Sequence, residues 1–268
     1  MIYEAEPPVI TRPVFRRTCV PELKTGREIE KMRQAGRVVG EALEVVRLAV
    51  SPGVSTKELD TLAAWAIEER GAAPAFLNYC GYPAVLCASV NEEVVHGIPG
   101  ETRVLREGDI VSLDLGVLLG GYYGDAAITV PVGKVSKQAE RLLSVTQSAL
   151  EKAIAAARPG KRLGDVSSAV QVFVEANGMS VVREFVGHGI GRKLHEDPAV
   201  PNFGAPGTGI LLEPGMTLAI EPMVNAGGFR VKVKEDGWTA VTADGSLSAH
   251  FEHTVALTKE GCEVLTAV

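Results

Sequence analysis

At 268 residues, with 27 basic and 33 acidic side chains and a net charge of −6, the chain is long enough to bury a substantial core and lacks the basic excess of a dedicated nucleic-acid binder. Its four cysteines, Cys19, Cys80, Cys87 and Cys262, show no C-x-x-C spacing, which argues against a disulfide framework or a zinc knuckle and for a reducing compartment. No apolar run is long enough to span a bilayer and the opening MIYEAEPPVITRPVF has no secretory apolar core, so a soluble, cytoplasmic protein with no membrane partner is expected.

In chain order, Pro7, Pro8 and Pro13 make residues 1–23 an extended arm, and the first fifty residues are mildly basic, nine Lys/Arg against seven Glu. Thr25-x-x-Glu28 reads as a capping box for a helix carrying Ile29, Met32, Val39, Leu43 and Val46 up to about Ala49. Ser55-x-x-Glu58 opens a second helix, with Leu59, Leu62, Ala63, Ala66 and Ile67 on its apolar face and Gly71 closing it. β-Branched, Gly-punctuated runs at 109–117 and 122–132 read as strands of a hairpin, and a turn centred on Leu119-Gly120 would set Asp114 directly opposite Asp125. Two further helical stripes follow, from Leu142 to Ile154 and from Val166 to Val174, the second closed by Gly178; strands at 216–224 and 250–258 complete the chain.

An internal repeat underlies this order. Pro52-Gly53 recurs as Pro159-Gly160, 107 positions later, and the same offset joins Leu59 to Val166, Ile67 to Val174, Glu68 to Glu175, Gly71 to Gly178, Gly108 to Gly215 and Asp114 to Glu221. Two copies of helix, helix, strands packed about a pseudo-two-fold axis would bring Asp114 and Glu221 together.

Asp114, Asp125, Glu221 and Glu252 all stand inside apolar strand runs. One such residue is ordinary on a strand with a wet face, but four require protons, cationic partners or metal, and the nearest cations in sequence, Lys232 and Lys234, cannot serve them all. His188 is flanked by glycines in GHGIGRKLHEDP, which fits neither G-x-G-x-x-G nor H-E-x-x-H and so disfavours dinucleotide binding and a single-zinc protease. One histidine with four carboxylates is an oxygen-rich donor set suited to a pair of divalent cations of the manganese, iron or cobalt type, which would turn repulsion between the aspartates into ligation.

The blocks SVNEEVVHGIPG, DIVSLDLGVLLGGYYGDAAITV, VGHGIGRKLHEDPAVPNFG, EPGMTLAIEPMV and SAHFEHTVAL, in this order, resemble those of type I methionine aminopeptidases from about Lys24 to the C-terminus. The resemblance implies an α+β pita-bread fold, two pseudo-symmetric halves around a central antiparallel sheet and a dinuclear site, with residues 24–268 as a single catalytic domain. It implies hydrolytic removal of the initiator methionine from nascent polypeptides whose second residue is small, by a metal-bridging water. Asp114 would chelate one metal, Asp125 and Glu252 would bridge both, and His188 and Glu221 would complete the second; cobalt, manganese or iron suit the set, with zinc or nickel behind them. Glu221 would serve as general base, His195 would bond the scissile carbonyl, and His96 would assist around the scissile amide. Phe76, Tyr79, Tyr82, Cys87, Leu194 and Trp238 would line the methionine pocket, where an unbranched thioether meets aromatic rings and sulfur.

Two positions depart from that pattern: Cys80 stands where histidine is frequent, and Ile128 where arginine is common. The same resemblance suggests a monomer without sequence-specific nucleic-acid binding, and the substrate class suggests ribosome docking through the basic N-terminal region. An Xaa-Pro aminopeptidase or dipeptidase of the same fold, and a non-catalytic pita-bread binding protein, are the alternatives; the five filled ligand positions oppose the latter.

Overall fold

The computed structural model describes residues 21–267, so most of the predicted arm lies outside the described residues. Four α-helices are present among them: α1 (Gly26–Ala49), α2 (Thr56–Glu68), α3 (Lys137–Ala156) and α4 (Leu163–Ala176). Both predicted capping boxes form, with Thr25 N–H donating to Glu28 Oε2 at 2.8 Å and Ser55 N–H to Glu58 Oε2 at 2.8 Å.

The helices cover a nine-stranded, wholly antiparallel sheet. Its strands are β1 (Ala73–Pro74), β2 (Leu86–Val90), β3 (Ile110–Leu119), β4 (Tyr122–Pro131), β5 (Gly187–Gly189), β6 (Glu196–Val200), β7 (Thr217–Ile220), β8 (Glu252–Leu257) and β9 (Cys262–Val264). The spatial order is β1-β3-β4-β8-β7-β5-β6, with β2 paired to β3 and β9 to β8. Two three-stranded sheets flank it, one from Ser180–Val181, Met223–Asn225 and Ser248–His250, the other from Glu93–Val95, Val231–Val233 and Ala240–Thr242.

The 107-residue offset is visible bond by bond. Ser55 bridges Val104 and Arg162 bridges Leu211; Gly53 N–H donates to Leu105 O and Gly160 N–H to Leu212 O; Thr56 N–H donates to Arg103 O and Leu163 N–H to Ile210 O. The paired glycines take matching left-handed conformations, Gly71 and Gly178 at φ 67° and 73°, Gly108 and Gly215 at φ 94° and 97°. Each half has its own buried cluster: Val39, Leu43, Leu59 and Ile67 with Leu113 and Leu115 in the first, Leu142, Leu150, Val166 and Val170 with Leu218 and Val255 in the second. Ile128 packs against both clusters, so the apolar residue at this position joins the two cores where a charge would have to be paired.

One prediction is corrected here. The loop between β3 and β4 is Gly120-Gly121, not a turn centred on Leu119-Gly120, and Asp114 pairs with Ala127 while Asp125 pairs with Gly116. Both loop residues have positive φ, 58° and 81°, and only the two glycines meet that demand without strain. The shift is two residues, so both aspartates keep the same face and become diagonal neighbours. The predicted strands at 216–224 and 250–258 are likewise each broken in two, at Glu221-Pro222 and at Phe251. Pro222 has no N–H to extend the ladder, and the chain there passes from the large sheet to the small one.

Helix α1 meets the hairpin at glycines. A Cβ on Gly124 would lie 2.9 Å from Gly36 N, and one on Gly36 would overlap the Leu265 carbonyl. Gly124→Val is therefore expected to lose about 3 kcal/mol of stability by overpacking, seen as a lower denaturant midpoint; an unchanged midpoint would show that α1 is free to shift.

Candidate active site

Strand register brings the predicted ligands together. Asp114 and Glu252 both pair with Ala127, from opposite sides, and His188 pairs with Ala219, which pairs in turn with Thr254. Paired residues share a face, as do residues two apart on a strand, so Asp114, Asp125, Glu252 and His188 project from one side of the sheet. Ala127 and Ala219 lie between them, and their single methyls leave the carboxylates and imidazole free to converge. Glu221 extends the β7 face just where Pro222 ends the strand.

Side-chain geometry bears this out. His188 Nε2 lies 3.8 Å from Asp125 Oδ2 and 3.7 Å from Glu221 Oε1. Asp125, His188 and Glu252 offer ligand atoms all within 4.8 Å of one another. His188 Nδ1–H donates to the Gly189 carbonyl at 2.9 Å, which leaves Nε2 as a lone pair aimed at the acids. Its flanking glycines are needed: a Cβ on Gly187 would overlap the Ala219 carbonyl and one on Gly189 the Asp197 carbonyl. Thr254 fixes the backbone beside Asp125, accepting from Asp125 N–H at 3.0 Å and donating to Asp125 O at 2.8 Å.

The carboxylates do not satisfy one another. Asp114 Oδ1, Asp125 Oδ1 and Glu252 Oε1 are buried without a hydrogen-bond partner, and among the described residues no lysine or arginine pairs with any of the four acids. Lys234 instead bonds Glu93, at 2.6 Å. Burial pushes Asp125, Glu221 and Glu252 well above the ordinary carboxylate range, reinforced for Asp125 by Asp114 and for Glu252 by Asp125. Burial likewise takes Asp114 up to about 7 against the opposing pull of His250. The same desolvation lowers His188 to about 3 and His96 to about 4, so both rings stay neutral. Unpaired buried carboxylates beside a neutral imidazole suit a hard divalent cation, which would replace their protons.

The cluster lines a cleft of about 520 Å³. All six residues predicted for the methionine pocket, Phe76, Tyr79, Tyr82, Cys87, Leu194 and Trp238, line it, together with His96, His195 and the acids. Gly116 makes room for Phe76, since a Cβ there would press into the ring at 2.6 Å. Tyr82 turns its hydroxyl to the Leu86 and Gly97 carbonyls, at 3.1 and 3.0 Å, and sets its ring edge-on to Trp238 with centroids 5.1 Å apart. His96, at φ 60°, is held edge-on by Phe185 and Trp238, at 5.5 and 6.3 Å.

Sequence reasoning missed Phe185, Gly237 and His250, and left Cys80 without a role although it lines the cleft. His250 is buried with both ring nitrogens unpartnered, its Nε2 3.6 Å from Glu221 Oε2. The alternation of the strand run could have revealed it, because residues 250 and 252 share a face. Nothing in the sequence marks Phe185 or Gly237.

The chain matches metallopeptidase family M24 over residues 30–259, and it belongs to that family. Within it, the chain is 54% identical over 246 residues to the methionine aminopeptidase of Clostridium perfringens, covering 92% of this chain and 98% of that one. The solved methionine aminopeptidase of Thermotoga maritima superposes with a TM-score of 0.92 at 53% identity, over 93% of this chain and all of that one. The prolidase of Pyrococcus horikoshii shares the fold alone, with a TM-score of 0.75 at 22% identity and 63% of its length covered. The pita-bread fold and the use of a divalent metal, both expected from the sequence, are thereby established. No helix among the described residues is long and apolar enough to cross a membrane.

Proposed function

We propose that residues 24–268 form one catalytic domain in which Asp114, Asp125, His188, Glu221 and Glu252 hold two divalent cations, of manganese, iron or cobalt, with zinc or nickel as lesser fits. The activity is removal of the N-terminal methionine from peptides by a metal-dependent aminopeptidase. The observation that carries the two-cation reading is the convergence of three unpartnered buried carboxylate oxygens with the free Nε2 of His188 in the wall of the cleft. When bound, the cations would polarise the scissile carbonyl and acidify the attacking water.

The chain's own residues do the rest. Phe76, Tyr79, Tyr82, Cys87, Leu194 and Trp238 take the thioether side chain, which sets the first peptide bond over the acids. Glu221, with its proton displaced once the cations are bound, takes a proton from the attacking water and returns it to the departing amine. His195 donates to the scissile carbonyl, and His96, neutral near pH 7, hydrogen-bonds around the scissile amide. Substrates with a small second residue are part of the same reading, and His96 is held by edge-on ring contacts with Phe185 and Trp238. These substrates are nascent chains in the cytoplasm, met by a monomer. Ribosome docking through the basic N-terminal region follows from the substrate alone; binding to ribosomes that survives neutralisation of those charges would remove it.

The direct test is release of methionine from Met-Ala-Ser by purified protein with added manganese or cobalt, and its loss after a chelator. An Xaa-Pro peptide run alongside should be spared; cleavage of it alone would move the protein to the prolidase-like branch of the fold. His195→Ala should retain its metals and lose turnover by roughly 10- to 1,000-fold, the range for removing one donor to a developing oxyanion. Wild-type turnover in that variant would strip His195 of this role.

A further inference from the structure

Two adjacent imidazoles in the cleft are held by chemically different partners. His188 and His195 stand with ring centroids 4.3 Å apart and planes at 60°. The partner of His188 Nδ1 is a backbone carbonyl, which can only accept, so that ring must carry its proton on Nδ1. The partner of His195 Nδ1 is the hydroxyl of Tyr79, at 2.7 Å, and a phenol can donate. Burial raises the Tyr79 hydroxyl above its ordinary pKa, so it stays protonated at neutral pH, and among the described residues its hydroxyl has no other hydrogen-bond partner.

We infer that Tyr79 is a positioning residue: its hydroxyl donates to His195 Nδ1 and so fixes the tautomer whose Nε2–H is free to donate in the cleft. The opposite tautomers make neighbouring rings do different work, His188 offering a lone pair to a cation and His195 a proton to an acceptor. The backbone around Tyr79 supports this aim. Asn78 and Cys80 both adopt left-handed conformations, at φ 66° and 50°, followed by Gly81 at φ 87°, and Tyr79 is pinned between Phe76 O and Tyr82 N–H at 2.9 Å each. Two non-glycine residues in that region are an unfavourable way to build a plain turn, and here they point the phenol at His195. The rings of Tyr79 and His195 also lie 5.2 Å apart at 39°, so the hydroxyl is added to a contact the aromatic ring would make without it. This role is separate from the ring's contribution to the methionine pocket.

The inference rests on the reading of His195 as donor to the scissile carbonyl, and the experiment separates the two. In zinc-loaded protein labelled with 15N-histidine, long-range 1H–15N correlation assigned against His195→Ala should show His195 protonated at Nε2 and bare at Nδ1. Tyr79→Phe, which keeps the ring, should lose that single tautomer. It should lower kcat on Met-Ala-Ser about 5- to 50-fold, with KM within about twofold because the pocket wall survives. Adding Tyr79→Phe to His195→Ala should cost nothing further, since the phenol acts through the imidazole. A wild-type His195 protonated at Nδ1, or a Tyr79→Phe variant with wild-type kcat beside a slow His195→Ala, would overturn this inference alone. A fully active His195→Ala would overturn the reading beneath it and this inference with it.

Discussion

Asp125→Asn is expected to abolish turnover, leaving less than about a thousandth of the wild-type rate, a larger loss than removal of one neutral hydrogen-bond donor brings. The amide is nearly the same size and keeps its backbone anchored by Thr254, at 3.0 and 2.8 Å, so the fold should survive. What it lacks is the negative charge that the proposed shared ligand places between two cations. In the metal-free protein the substitution should be neutral or stabilising, because burial first, and then Asp114 and Glu221, already disfavour the charged carboxylate that the amide removes. The expected signature is thus a melting temperature at or above wild type without metal, a metal content reduced by titration, and no methionine release. Undiminished metal content with full activity would remove Asp125 from the ligand set; a protein that fails to fold would show the carboxylate to be structural. The double readout matters because a residue buried to this depth could be lost for either reason.

Much of this site could be read from residue types and spacing, and what could not has physical causes. Helix starts were legible because capping boxes are local: Thr25 with Glu28 and Ser55 with Glu58 satisfy each other within one turn. The repeat was legible because its punctuation is made of glycines that need positive φ, and these recur at Gly53 and Gly160, Gly71 and Gly178. The hairpin register was misread by two residues, since apolar alternation marks a face and not a partner; only the paired positive φ of Gly120 and Gly121 selects the loop. The converging face was half legible. Sequence marked the acids but not Ala127 and Ala219, whose smallness matters only because strands from separate parts of the chain set Asp114, Glu252 and His188 on either side of them. Phe185 is hidden for the same reason, since its role is defined by His96, far off in sequence, whereas His250 shares the alternation of the Glu252 run and was within reach. Sequence marks Tyr79 only as pocket lining, and its hydroxyl bond to His195, 116 residues away, has no local sign.

Metal binding is expected to stabilise the protein more as pH rises above 6.5. The carboxyl groups of Asp114, Asp125, Glu221 and Glu252 have folded-state pKa values raised above those of the unfolded chain, Asp114 to about 7 and the others well above their ordinary range. A raised acid binds extra protons in the folded state, so its contribution is fully present below the unfolded value near 4 and is lost as pH climbs through the folded one. The histidines act oppositely. His96 and His188, lowered to about 4 and 3, with His195 and His250 lowered in the same direction, add stability as pH rises toward the unfolded value near 6.5 and then no more. Below pH 6.5 the two groups offset each other; above it the acids still titrate, joined toward pH 8.5 by the thiols of Cys87 and Cys262, which burial raises and which act in the same direction. The chelated protein should therefore lose melting temperature between pH 6.5 and 8.5, by about 3 °C per pH unit for each proton released. The manganese-loaded protein should be nearly flat, because the cation has already displaced those protons, and loading it at pH 7 should release protons that calorimetry in buffers of different ionisation enthalpy would count. Parallel melting curves for chelated and loaded protein across this window would mean that the acids are ionised without metal, and would require a cation partner for them that their geometry does not supply.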